Sequence, residues 1–155
     1  MKIELPSGVL DRMIKQTADG AAILQEEITG AAADSAKTIA LGAIAKAPVK
    51  TGRLRRSITS EVVPLAADVQ GIVMATAPYA RYVEEGTGLY GPKKAVILYD
   101  RMHKFKIGGS WVSVLGIRGM QAKPYMKPAF EEARERVVGL FRDAIFAAVK
   151  RVVGP

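Results

Sequence analysis

A chain of 155 residues is long enough for one domain with a substantial core, and its 49% hydrophobic and 25% charged residues exclude a disordered tail. The 23 lysines and arginines outnumber 15 acids, and the net charge of +8 permits binding to DNA, RNA, anionic surfaces or acidic proteins without choosing among them. The lack of cysteine excludes disulfides and thiolate metal sites, and no apolar run approaches the roughly 20 residues of a membrane span.

The first part of the chain, residues 6–47, has apolar residues at helical steps of three and four. Its opening MKIELPSGVLDR carries acids and no continuous apolar core, so we expect no signal peptide and production in the cytosol. Gly20 and Gly30 each weaken a helix by roughly 1 kcal/mol relative to alanine, which predicts a short helix, a bend near Asp19–Gly20 and a longer second helix. The second helix is rich in alanine, so a neighbouring element can approach it closely, and Pro48 ends it.

Residues 53–76 alternate between apolar and polar side chains and predict a β-hairpin that turns between Pro64 and Asp68. The apolar face of its first strand holds Leu54, Ile58 and Val62. Three arginines at the start of this strand suit a nucleic-acid patch, catalytic machinery or a charged strand face. In this register Arg53 and Arg55 point to the polar face, while Arg56 falls on the apolar face, where it snorkels or pairs with an acid.

Residues 78–124 are the irregular part of the chain. Their first stretch, PYARYVEEGTG, predicts one or two helical turns that end in a left-handed cap at Gly86. Side chains three and four positions apart meet on a helix, which predicts a cluster of Tyr79, Tyr82 and Val83. The LYGPKK that follows predicts a loop.

Two further strands and a last helix complete the predicted elements. AVILY, residues 95–99, predicts a short strand, and the alternation on both sides of Gly108–Gly109 predicts a second hairpin over residues 104–115. Residues 128–153 predict an amphipathic helix that begins at Pro128, with acids near its start and bases at its end, as the helix dipole favours. We expect residues 1–155 to form a single domain.

No pattern in the sequence predicts a catalytic site, so we expect no enzyme and no cofactor or metal. His103 is the only histidine and has no cysteine or second histidine with which to share a metal. Glu84 and Glu85 are adjacent, and on a helix they diverge by about 100° instead of converging on one substrate atom. GTGLYGP lacks the spacing of a phosphate-binding loop. Trp111 could stack on a base, but a core or interface position is the commoner use of tryptophan.

The positive charge leaves DNA binding as an alternative function. Basic residues are most frequent between positions 93 and 127, where proximity to phosphate is plausible. No helix-turn-helix, zinc-finger or aromatic strand pattern organises them, so the sequence does not support the recognition of particular bases.

Three stretches, in order, carry a resemblance to a known family: APVKTGRLRRSI at 47–58, APYARYVEEGTG at 77–88, and AKPYMKPAFEEA at 122–133. Together they resemble the tail-component family of lambdoid and related tailed bacteriophages, small neck and tail-completion proteins that help to join head to tail. The chain departs from the pattern at Glu85, where many members carry an aromatic residue, and in its long basic segment between Gly91 and Gln121.

The resemblance implies a non-enzymatic protein of the virion neck, assembled in the bacterial cytoplasm. It implies an α+β fold, with a small antiparallel sheet packed against long N-terminal and C-terminal helices and a protruding central hairpin. It also implies a homo-oligomeric ring, a hexamer or a dodecamer, around the channel for the genome. Exposed sheet edges can pair with the next subunit and close such a ring. Whether the ring is a neck layer or a tail terminator stays open.

The motif residues then take structural or interface roles. We expect contacts with a neighbouring subunit or partner ring from Arg53, Arg55, Arg56, Tyr82, Glu84, Glu85, Phe105, Ile107, Trp111 and Val112. For the arginines, acids of a neighbour are the first choice and DNA the second. We expect chain turns and helix starts to be fixed by Thr51, Gly52, Tyr79, Gly86, Gly88, Pro124 and Pro128. The implied partners are further connector, head-closure or tail proteins and genomic DNA read without sequence specificity, with no membrane.

Overall fold

The first helix, α1, extends unbroken from Ser7 to Lys46 in the computed structural model. The structure describes residues 7–65 and 68–153, with side chains for 18–65, 68–98, 101–106 and 108–152. The prediction of two helices with a bend near Asp19–Gly20 is therefore wrong. The helix tolerates Gly20 because the later helix α4 (Met126–Val153) packs there, with Val152 3.5 Å from the position that a Cβ would take. Tertiary packing of this kind outweighs a single unfavourable helix propensity.

Alanines form the buried stripe of α1. They recur at helical steps as Ala32, Ala36, Ala40 and Ala43, and Ala47, directly after the helix, is buried as well. Strand β2 (Val69–Ala75) approaches this stripe so closely that a Cβ at Gly71 would lie 3.1 Å from the carbonyl oxygen of Ala32. The expectation that an alanine-rich helix admits a close neighbour is confirmed.

The arginine-rich stretch after α1 is helical and not extended. Arg53–Arg56 form a single turn, α2, and strand β1 begins only at Ile58 and ends at Pro64. Gly52 has φ of 72° and reverses the chain, after which the N–H of Arg56 donates to its carbonyl at 3.1 Å. The strand predicted from position 53 is therefore wrong at its start, because a left-handed glycine followed by an i→i+4 bond favours a turn of helix. Leu54 is still buried.

Strands β1 and β2 form one two-stranded sheet, and β3 (Ile97–Ile107) and β4 (Ser110–Ile117) form another. The short strand predicted at 95–99 and the second hairpin are one element, because β3 continues across an irregularity between Leu98 and His103. The predicted turn at Gly108–Gly109 is confirmed. Both glycines have positive φ, 56° and 89°, as the tightest hairpin turns require.

Two short helical segments and a long helix complete the order of elements. Helix α3 spans Ala80–Glu85 and is followed by a 3-10 turn at Gly88–Tyr90. Helix α4 starts at Met126, two residues before the predicted start at Pro128. Proline fits at this third position because the first N–H groups of a helix have no partner within it. The α+β class with terminal helices and a central hairpin is confirmed.

The described residues fall into two compact units. Unit 1 comprises the described parts of Met1–Ala40, Ser60–Val73 and Glu131–Pro155, and unit 2 comprises Leu41–Thr59 and Met74–Phe130. In unit 1, Arg151 joins the end of α4 to α1 through Glu26 at 3.2 Å and Glu27 at 2.6 Å. In unit 2, Tyr125 is the largest fully buried side chain. Among the residues described, no helix is long and apolar enough to cross a membrane.

Candidate protein interface

The three arginines of the opening motif have three different environments. Arg55 donates from Nε to the carbonyl of Ala47 at 3.1 Å and from Nη2 to that of Ala45 at 3.2 Å. The first carbonyl directly follows α1 and the second lies in its last turn, where carbonyls lack donors within the helix, so Arg55 caps that helix. Arg56 donates to the carbonyl of Thr51 at 3.3 Å and stays exposed. Arg53 is exposed and lies beside a cleft.

This cleft, which we call the motif cleft, brings the three motif stretches together within unit 2. It has a volume of about 370 Å³. Its lining from the three stretches includes Thr51, Arg53, Leu54, Tyr79, Val83 and Lys123. Gly52 also lines it and supplies the left-handed turn that carries the chain from α1 into α2. Residues separated by more than seventy positions thus surround one concavity.

The carboxylate of Glu84 fixes the start of α4. Its Oε2 accepts the N–H of Tyr125 at 2.7 Å and of Met126 at 3.0 Å, and its Oε1 accepts the N–H of Lys127 at 3.0 Å. A carboxylate at a helix N-terminus satisfies unpaired donors and interacts favourably with the helix dipole. Pro124 immediately precedes the capped residues and stays exposed. The contact gives Glu84 a role within the fold that the sequence analysis did not predict.

Glycines allow the segment after α3 to pair with the loop that leads to α4. Gly86 has φ of 77° and ψ of 178°, an extended conformation that glycine alone adopts readily and not the left-handed cap that was expected. A Cβ there would lie 2.8 to 2.9 Å from backbone atoms of Tyr90, Met120 and Ala122. Thr87 then exchanges backbone and hydroxyl hydrogen bonds with Met120, both at 2.9 Å. Gly88, also at positive φ, continues the same close approach.

The side chains of α3 separate onto two surfaces. Tyr79 and Val83 line the motif cleft, whereas Tyr82 is 56% exposed and lines a broad depression with Glu85 and Leu98. The predicted cluster of all three apolar residues is therefore wrong for Tyr82. Glu85 pairs with Arg81 one turn earlier, at 2.9 Å, on the exposed side of the helix.

The β3–β4 hairpin exposes large apolar side chains on both of its faces. One face carries Trp111, 71% exposed, opposite Lys106, and continues to Leu115. The other pairs Phe105 with Val112, and both side chains are more than a third exposed. The side chain of Ile107, predicted for the same surface, lies outside the described residues. An isolated two-stranded sheet with this much apolar surface is typical of an element that is covered in an assembly.

A comparison with protein families shows to which family this chain belongs. The family model described as "Bacteriophage HK97-gp10, putative tail-component" matches residues 8–86, just over half of the chain. The chain belongs to this HK97-gp10-like family. The match contains α1, the arginine-rich turn, the first hairpin and α3, and it confirms the resemblance inferred from the motifs. No curated protein and no solved structure matches the chain.

Membership in the HK97-gp10-like family makes the chain a structural protein of tailed phage particles that contacts other phage structural proteins. Its charge is unevenly distributed between the two units. Unit 2 holds 14 of the 23 lysines and arginines and 3 of the 15 acids, a net charge of +11, whereas unit 1 has a net charge of −3. The HK97-gp10-like chain therefore concentrates its positive charge in the unit that contains the motif cleft and the exposed hairpin.

No group of three or more histidine, cysteine or acidic side chains in the described parts of the chain is placed to hold a metal ion. His103 stacks against Phe105 with ring centroids 6.4 Å apart, within the hairpin of this HK97-gp10-like protein.

Proposed function

We propose that this HK97-gp10-like protein is a non-catalytic subunit of the head-to-tail connector, a neck or tail-completion ring around the DNA channel. The observation that carries the proposal is the division of apolar residues between inside and outside. Of the 14 buried apolar residues in the described chain, 11 are alanine, whereas 25 large apolar side chains are exposed. Exposed apolar surface of this extent is typical of subunits that meet in an assembly.

The β3–β4 hairpin is the element that we assign to contacts between neighbouring subunits. Both strands of a two-stranded sheet are edge strands with unpaired backbone groups, which pair readily with a strand of another chain. Pairing in this way joins two different surfaces head to tail, and the contact closes into a ring when the rotation per subunit divides the circle. The two most exposed large residues of the hairpin, Leu98 on β3 and Trp111 on β4, lie on opposite faces, so each would be covered by a different part of a neighbouring subunit. A hexamer and a dodecamer both satisfy this geometry.

The division of the secondary-structure elements between the two compact units also bears on how the subunit folds. Helix α1 and the first hairpin each supply residues to both compact units. We therefore propose that the chain unfolds as one cooperative domain, with a single thermal transition seen alike by far-UV circular dichroism and by the fluorescence of Trp111. Two separate transitions would contradict this part of the proposal.

Light scattering of the purified protein over a range of concentrations tests ring formation, together with electron microscopy of the particle at its head–tail junction. Trp111→Ser should reduce the oligomeric fraction several-fold. Arg142→Ser, at an exposed polar position on α4, is the control and should leave the fraction unchanged. A wild-type protein that stays monomeric at every concentration, and also fails to join purified heads or tails, contradicts the connector.

The charge of +11 in unit 2 favours a second candidate, a DNA-binding accessory protein without catalysis. Such a protein binds duplex DNA with an affinity that falls steeply with salt, because each phosphate contact releases a counterion. Anisotropy of a labelled duplex in 20 mM and 200 mM salt distinguishes the two functions. Negligible binding at low salt removes the second candidate, while the ring requires only that DNA pass through its channel.

A further inference from the structure

The motif cleft combines an apolar floor with a positively charged rim. The apolar part of its lining, which we call the floor, includes the buried Leu54 together with Tyr79 and Val83. Its volume of about 370 Å³ lies within the range of about 300 to 1,000 Å³ that is usual for ligand sites. A cleft of this size accommodates one large apolar side chain together with a short length of backbone.

Three exposed cations surround the floor: Lys50 and Arg53 on one side and Lys123 on the other. Among the described residues that line the cleft there is no aspartate or glutamate. The rim therefore presents a positive potential directly beside an apolar surface. Potential of this kind selects a negatively charged partner and disfavours a basic one.

Two of the segments that line the motif cleft are fixed by hydrogen bonds within unit 2. The guanidinium of Arg55 holds the segment that starts at Ala47, and the turn at Gly52 is closed by the N–H of Arg56. On the opposite side, Lys123 donates its N–H to the carbonyl of Val83 at 2.8 Å. A preformed cleft loses little conformational entropy when it binds, which favours its use as a docking site.

We propose that the motif cleft binds an acidic peptide segment of another protein of the phage particle, with an aromatic or large aliphatic side chain on the floor and flanking carboxylates on the cationic rim. The proposal rests on membership in a phage structural family and not on ring formation. The apolar anchor supplies affinity, and the paired charges orient the segment and exclude basic competitors.

The test uses the full chain and fluorescently labelled peptides of five residues. The binding probe is acetyl-Glu-Glu-Phe-Glu-Glu-amide, and its two controls replace Phe with Gly or all four Glu with Lys. In a parallel probe, benzoylphenylalanine replaces Phe, so that ultraviolet light cross-links the anchor to its surroundings. We expect saturable anisotropy only with the acidic Phe peptide, and cross-links to residues 48–54, 79, 83 or 120–123.

Variants separate the cleft from general charge attraction. Arg53→Glu combined with Lys123→Glu should weaken binding at least tenfold, and Gln121→Trp should do the same by filling the cleft without changing its charge. Lys37→Glu combined with Lys150→Glu reverses two exposed lysines outside the cleft, so it is the charge-matched control and should bind like the wild type. Equal binding of the glycine or lysine peptide, or cross-links confined to other surfaces, overturns the proposal.

A second copy of this chain is the competing occupant. Phe130 is 56% exposed at the start of α4 and is followed by Glu131 and Glu132. If acetyl-Pro-Ala-Phe-Glu-Glu-Ala-amide, which corresponds to residues 128–133, bound ten times more tightly than the acidic Phe probe, the assignment to another protein would be wrong. Light scattering on the same samples reports ring formation separately, so that failure of one proposal is distinguishable from failure of the other.

Discussion

Glu84 and Tyr125 are joined by a hydrogen bond of 2.7 Å between a carboxylate oxygen and a backbone N–H, although 41 positions separate them in the chain. With the bonds to Met126 and Lys127, this contact makes one side chain of α3 the cap of α4. Helices α3 and α4 are thereby fixed to each other within unit 2. Tyr125, buried next to the capped turn, secures the same junction by packing.

Replacement of Glu84 should therefore destabilise the protein. Glu84→Ala leaves three N–H groups without their acceptor, and charge-assisted caps of this kind are worth about 1 to 3 kcal/mol in the free energy of unfolding. Glu85→Ala, which removes only the exposed pair with Arg81, should change the free energy of unfolding by less than about 0.5 kcal/mol. Urea unfolding followed by circular dichroism measures both. Equal effects of the two variants would contradict the assigned cap.

The arginines should differ in the same assay. Arg55→Ala removes two hydrogen bonds from the end of α1 and should cost about 1 to 2 kcal/mol. Arg53→Ala, at an exposed side chain, should cost less than about 0.5 kcal/mol. Arg55→Lys should recover only part of the loss, because an ammonium does not reproduce the fork of a guanidinium. If Arg53→Ala proved the more damaging, the capping role would belong elsewhere.

Gly86 and Gly139 should respond to alanine in opposite directions. At Gly86 the backbone has positive φ and no room for a Cβ, so Gly86→Ala should lose more than about 2 kcal/mol or fail to fold. Gly139 lies within α4 with no atom near its Cβ position, and Gly139→Ala should gain about 0.5 to 1 kcal/mol. Thermal melts of the pair are decisive, since a stabilised Gly86→Ala is incompatible with the described loop.

The buried hydroxyl of Ser35 lowers the stability of the fold. Its Oγ is buried on the alanine stripe of α1 and has no hydrogen-bond partner among the described residues. Ser35→Ala removes an unsatisfied hydroxyl and improves helix propensity, so the free energy of unfolding should rise by about 1 kcal/mol. Ser57→Ala, which deletes a hydroxyl that donates to Leu54 at 2.7 Å, should lower it. Thermal melts should therefore show a higher melting temperature for Ser35→Ala and a lower one for Ser57→Ala.

Alkaline pH should destabilise the protein through Tyr125. Burial raises the pKa of its phenol above the ordinary value, and the charges of Glu84 and Tyr79 raise it further. The folded state thus holds this proton more tightly than the unfolded state does. The resulting stability is complete below the unfolded pKa of about 10 and is lost as the pH rises through the folded pKa. Tyr125→Phe should reduce the loss of unfolding free energy above pH 10, as measured by urea titrations. The same measurement at pH 7 gives the effect of the substitution on packing alone.

Periodic patterns predicted the helical state of residues 7–46, helix α4 and the second turn, because helical steps and strand alternation are local properties of the sequence. The pair Gly108–Gly109 predicted its own backbone conformation for the same reason. At Gly20 the local pattern failed, since Val152, more than 130 positions away, decides that the helix continues. At Arg53–Arg56 the alternation resembled a strand, but the left-handed Gly52 commits the chain to a turn.

The candidate interface was only partly accessible to sequence reasoning. The order of three motifs predicted the family, and the apolar residues of the central hairpin predicted an exposed surface. The convergence of the motifs on one cleft depends on long-range hydrogen bonds, such as Lys123 to Val83, that leave no trace in spacing. Capping residues usually lie next to the helix in the sequence. The sequence therefore did not predict that Glu84, 41 positions before Tyr125, caps α4.

The alanine stripe of α1 has a practical consequence for handling the protein. A core built from methyl groups leaves the larger apolar side chains, Trp111 and Leu98 among them, exposed on the subunit. Attraction between such surfaces weakens on cooling, because it is largely entropic near room temperature. If the chains associate through these surfaces, as proposed above, a preparation kept on ice is biased toward dissociated chains, and warming the same sample favours assembly.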